Sequence, residues 1–144
     1  MKILIIGLVA ALLPAVALPE TAHEAAIEQR QAAFKDIKSA VADVKDALKA
    51  KDFAAAESSA QTILSKAQQV QELFPAGSFE GDTRAKAKIW NNLADFQQRQ
   101  QGLVADAEQL VTASQSDDAR ALKGAFKTLS KDCKGCHRKY RQVF

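Results

Sequence analysis

Apolar side chains recur at alternating spacings of three and four residues in four separate stretches, and this period restricts the chain to helices that pack side by side. The first seam runs from Ile27 through Arg30, Phe34 and Val41 to Leu48, and the second from Phe53 through Ala60 and Ala67 to Phe74. The third runs from Ile89 through Phe96 and Leu103 to Leu110, and the fourth from Ala119 through Phe126, Cys133 and Cys136 to Tyr140. Strands would alternate every second residue. The breaks agree with the seams: Asp52 is placed to cap the second helix, residues 75–82 form a Pro, Gly and Ser loop, and Ser116, Asp117 and Asp118 open the last helix. Four helices with mostly short connections predict an all-α, antiparallel four-helix bundle, and a seam of this period favours crossing angles of about 20°.

The ends of the chain differ in kind. Met1 and Lys2 precede an apolar run from Ile3 to Leu13, followed by the small residues Ala15, Val16 and Ala17, which reads as a secretory signal peptide over residues 1–17. The run falls short of the roughly 20 residues that a membrane span needs. Cleavage near Ala17 leaves residues 18–144 as one domain, and with Lys2 gone 19 Lys plus Arg face 17 Asp plus Glu, a charge of +2. So small and mixed a charge does not point to nucleic acid or an anionic membrane as the main partner. Export places the two cysteines where free thiols are normally oxidised, so the pair needs a reason.

Two seams contain residues that a plain bundle would not choose. Arg30 sits at a core position, where a guanidinium needs an acidic, polar or bound anionic partner. Cys133 and Cys136 sit at two more, within the run Cys133, Lys134, Gly135, Cys136, His137. This spacing is the pattern by which exported proteins attach haem covalently. Each thiol adds to one porphyrin vinyl group. His137, four residues after Cys133, then reaches the iron from the same helical face. A thioredoxin-like redox pair would sit beside a βαβ pattern, which the sequence lacks. A structural zinc would need four ligands, and the other histidine, His23, is more than a hundred residues away.

With these residues in place, the chain resembles the cytochromes c prime of the class II c-type cytochromes. The resemblance covers Arg30 and Gln31, the loop with Gly81, Asp82 and Thr83, then Ile89, Trp90 and Phe96, and finally Leu122 to Arg141 around an attachment motif near the C-terminus. It implies one haem c held within a four-helix bundle, often a homodimer through the first two helices. It also implies that Arg30 and Gln31 contact the haem, with the guanidinium on a propionate. Asp82 and Thr83 are candidates for the haem edge, and Arg141 is a basic neighbour of the proximal His137. Low-spin relatives use a methionine from the first helix as second axial ligand, but here the only methionine is Met1. The resemblance puts Phe34 on that distal side, and phenylalanine cannot coordinate iron.

The expected function is therefore a five-coordinate, high-spin haem protein that binds small neutral gases, chiefly nitric oxide and carbon monoxide. Dioxygen is less favoured, since its bound form gains from a distal donor. The alternative is an electron carrier with a redox partner protein, for which the basic residues Lys131, Lys134, Arg138, Lys139 and Arg141 offer a docking patch or simply a solvated face. Enzymatic catalysis lacks support, as no distal histidine or general acid is evident.

Overall fold

The computed structural model describes residues 19–143, so the expected signal segment, residues 1–17, lies outside the described residues. Five helical elements follow in order: α1 (Pro19–Ala50), α2 (Phe53–Val70), α3 (Lys88–Asn91), α4 (Leu93–Ser114) and α5 (Ala119–Tyr140). The four long ones form the expected antiparallel bundle, with α1 on α2, α2 on α4 and α4 on α5. The ring closes where α5 meets α1, and that seam is the loosest of the four.

Helix starts follow local chemistry. The Asp52 carboxylate accepts the Ala55 N–H at 2.9 Å, and Asp118 accepts those of Arg120 and Ala121 at 2.8 and 3.2 Å, so both expected caps form. Two boundaries differ from the sequence expectation. Helix α2 stops at Val70, because the next three N–H groups bond three residues back in a tightened turn and Pro75 then keeps Phe74 out of helical geometry. The third seam is split, because Asn92 adopts φ −138° and ψ 43° while its side chain donates to the Lys88 carbonyl at 3.1 Å. An asparagine that bonds its own backbone in this way competes with the helix.

The buried face of α1 holds the expected Ile27, Arg30, Ile37 and Val44 together with Ala33, Ala40 and Ala47, while Phe34, Val41 and Leu48 pack at its flank, half-buried. On α2 the expected positions Ala56, Ala60, Ile63, Ala67 and Val70 are all buried. Leu93 and Ala119, expected at core positions, are exposed instead. A second, aromatic cluster of Ile89, Phe96 and Tyr140, flanked by Phe74, Trp90 and Cys136, lies against the start of α4 and the end of α5. An isolated antiparallel bridge between Ala85 and Arg141 pins the long loop to the chain end, with Lys86 N–H donating to the Tyr140 carbonyl at 3.0 Å.

His23 is half-buried against this loop. A Cβ at Gly77 would come within 2.9 Å of its ring, and φ +86° there already favours glycine.

Candidate functional site

Helix α5 carries Cys133, Cys136 and His137 at spacings of three and four, so all three project from one side, the two cysteines half-buried and His137 at the exposed edge. The two thiols are free. Burial pushes the Cys133 thiol up to about 11 and raises Cys136 as well, although Arg99 pulls the latter down. Thiol redox pairs need the opposite shift, so a thioredoxin-like role has no electrostatic support.

Burial, and then the positive charge of Arg141, lowers the pKa of His137. The imidazole is therefore neutral at neutral pH, with a lone pair available for a metal. Among the described residues no hydrogen bond reaches it. Its ring faces Phe34 of α1 across the loose seam, with centroids 6.1 Å apart and planes at 66°. A neutral imidazole, two thiols one turn apart and hydrocarbon opposite make a donor set that fits a covalently held haem with one axial histidine.

Around α1 the structure brings together four more of the residues singled out in the sequence. Arg30 is 3% exposed, and its guanidinium donates to Ser78 Oγ at 2.8 Å, the Ser78 carbonyl at 2.6 Å and Thr83 Oγ1 at 2.5 Å. It also lies over the Phe74 ring, 5.0 Å from the centroid, and burial lowers its pKa. The polar partner that a buried arginine needs is thus supplied within the chain by loop hydroxyls and a carbonyl. Gln31 donates to the Asp82 carbonyl at 2.6 Å, so it is the backbone of Asp82 that joins the set. Together these bonds clamp the loop of residues 71–87 onto the first half of α1. Arg141 caps α5, its N–H donating to the His137 carbonyl at 2.9 Å, and its side chain is exposed. Trp90 is half-buried in the aromatic cluster, its indole N–H on the Pro75 carbonyl at 3.0 Å.

Three features escape the sequence reading. Ser78, the main partner of Arg30, is fully buried although it lies in a loop rich in turn residues. Asp95 takes Arg99, Lys139 and Tyr140 on one carboxylate oxygen at 2.9, 2.9 and 2.5 Å, which holds it well below the usual carboxylate range. Lys139 therefore belongs to a junction between α4 and α5 and not to the solvated basic face. The four-residue spacing of Asp95 and Arg99 was the one readable sign of this junction. Asp106 of α4 is buried beside Asp132 and close enough to Cys133 to help raise that thiol. Burial, and then Asp132, raises the Asp106 pKa to about 6, and its Oδ2 has no partner among the described residues.

Comparison with known proteins agrees with this geometry. Cytochrome c-556 of Agrobacterium tumefaciens (strain II Chrys) is 33% identical over 118 residues, 80% of this chain and 95% of the relative. The solved cytochrome c prime of Shewanella frigidimarina superposes with a TM-score of 0.80 at 38% identity, covering 84% of this chain and 97% of that one. A nitric oxide complex of a variant cytochrome c prime from Alcaligenes xylosoxidans superposes with a TM-score of 0.78 at 26% identity, covering 85% and 97%. Residues 25–141, from the first helix to the cap beyond the attachment motif, match the family described as Cytochrome C'. A bundle with this helix order, ending in two thiols and an imidazole on one face of its last helix, is a haem-protein architecture, and the chain belongs to the cytochrome c' family.

Proposed function

We propose that this chain is a periplasmic protein carrying one haem c, bound through thioethers at Cys133 and Cys136 with His137 as the iron's single protein ligand, and that it binds nitric oxide or carbon monoxide. The observation that supports this reading best is the Phe34 ring facing the His137 ring at 6.1 Å, which offers carbon and no donor atom opposite the imidazole. The only methionine is Met1, within the segment read as a signal peptide. A haem held by these residues would supply an iron able to bind a small gas. The chain's own residues do the rest. His137 stays neutral and donates its lone pair, Phe34 limits the size of what approaches, and Arg30 and Gln31 fix α1 to the loop so that Phe34 keeps its place. Arg30 is already bonded to Ser78 and Thr83, so a haem propionate would reach its charge only by exchanging one of those bonds, and Gln31 holds the loop backbone at Asp82 beside it.

The nitric oxide complex of the Alcaligenes xylosoxidans relative supports a gas ligand of this class. A homodimer through α1 and α2 completes the reading; the groove between them is lined by short side chains such as Ser39, Ala40, Ser58 and Ser59, which permit close approach.

Titration of the ferrous protein with carbon monoxide tests the proposal. A stoichiometric, saturable change in the haem absorption band is expected, and no spectral change at millimolar carbon monoxide would overturn it. Electron carriage is the second reading, favoured by the exposed cations on the helix that bears the attachment motif.

A further inference from the structure

The outward side of α5 carries Arg120, Lys123, Lys127, Lys131, Lys134 and Arg138 at successive spacings of three or four residues. At about 100° per residue these six fall within roughly 80° of arc, and they run about 27 Å along the helix axis. All six are exposed. None takes part in an ion pair among the described residues, whereas Lys49, Lys66, Arg99 and Lys139 do. Like charges at these spacings destabilise a helix, so the stripe weakens the fold and gains nothing back from carboxylates.

The charge is also separated from the rest of the molecule. Outside the stripe 14 Lys and Arg face 17 Asp and Glu, so a chain of net charge +3 consists of a stripe of +6 and a remainder of −3. His137 lies between the stripe and the buried face of α5 defined by Leu122 and Leu129. A partner seated on the stripe is therefore brought to the flank of the helix that carries the haem-binding residues.

We infer that this stripe is the docking face for an exported one-electron protein with an acidic surface. The inference rests on the reading of the chain as a haem protein, but not on its gas ligand. In the encounter one electron leaves the partner's metal centre, which is oxidised by one unit, and reduces the haem iron from ferric to ferrous, with no bond made or broken. A complementary acidic face accounts for six unpaired cations in a line. A membrane surface does so less well, because the apolar side of α5 is turned into the bundle and has nothing to insert. A second copy of the chain does so less well too. On α1, Asp36 and Asp46 are already paired with Lys66 and Lys49, and Lys35, Lys38 and Lys45 intervene, so no continuous acidic face is presented.

The test uses the haem-loaded protein, a reduced acidic blue-copper protein as probe, and the triple variant K123E/K127E/K131E against a control of equal charge change on α1, K35E/K38E/K45E. Stopped-flow electron transfer and chemical-shift perturbation of α5 amides are read at low and high salt. At low salt the stripe variant is expected to lose at least tenfold in rate and to lose the α5 shifts, while the control changes less than threefold; for the wild type the rate falls steeply with salt. Equal losses in both variants, or a salt-independent rate, overturn the inference. Stripe-dependent binding to phosphatidylglycerol vesicles without α5 shifts from the blue-copper probe overturns it in favour of a membrane, and stripe-dependent self-association in sedimentation overturns it in favour of a second copy. The absorption spectrum of each sample shows separately whether haem is attached, so failure of the haem reading is distinguishable from failure of docking.

Discussion

Helix α1 meets α2 along small side chains and α5 along large ones. With α2 it shares a cluster in which Ala33, Ala40, Ala56, Ala60 and Ile63 are almost wholly buried. Toward α5 it presents Phe34, half-buried, to an imidazole and the thiol-bearing face, and packs loosely. Alanine on both sides lets two backbones approach and leaves nothing to move. Bulky, partly exposed groups on a loose seam leave room for chemistry. The same helix is thus a fixed wall on one side and a gate on the other, and the clamp of Arg30 on Ser78 and Thr83 holds it in register with the loop between α2 and α4.

The comparison can be broken most severely at the functional seam. Replacing Cys133 and Cys136 together by Ala is expected to abolish covalent haem, so that acid-acetone extraction removes all colour from the purified variant; haem retained with the polypeptide would contradict the assignment. Next in size is Phe34→Ala. With the gate removed, the carbon monoxide association rate of the ferrous protein should rise at least tenfold by flash photolysis, with the attachment untouched. An unchanged rate would show that the ring does not control entry.

The tight seam should respond in stability instead. Ala60→Leu inserts bulk where the side chain is fully buried, and a loss of about 1–3 kcal/mol in denaturant unfolding is expected, with an unaltered haem spectrum. The smallest effect concerns Asp106, whose pKa is raised from the usual 3.8 to about 6 by burial and by Asp132. In the folded state this carboxyl holds its proton longer than in the unfolded one, so stability falls as pH rises from about 4 to 6, and the penalty is complete above that window. Asp106→Asn should therefore gain on the order of 1 kcal/mol at pH 7 and nothing below pH 4, read from unfolding midpoints across pH. A gain that is independent of pH would contradict the titration.

What was legible in the sequence follows the same division. The α2 seam could be read position by position because an alanine-rich 3.5 period has one way to face inward. The run from Cys133 to His137 was legible because covalent chemistry fixes its spacing. On α1 the seam was right at Ile27, Arg30, Ile37 and Val44, which are buried, and one residue off at the other three positions: Phe34, Val41 and Leu48 draw attention by size, whereas their neighbours Ala33, Ala40 and Ala47 fill the space. The need of Arg30 for a partner was legible, but not the partner, since Ser78 sits in a loop whose path is set by turns and not by periodicity. The split between α3 and α4 depends on one side-chain bond from Asn92, which leaves no trace in an apolar seam. Asp106 has seam spacing, three residues after Leu103 and four before Leu110, but a carboxylate there reads as polar, and its burial beside Asp132 of α5 was passed over.

The account turns on a haem iron held by His137 from one side and faced by carbon on the other. Electron paramagnetic resonance and resonance Raman spectra of the ligand-free ferric and ferrous protein at neutral pH test this most directly. The predicted result is a five-coordinate, high-spin iron in both oxidation states. A six-coordinate, low-spin signal with a second nitrogen or sulfur ligand would contradict it.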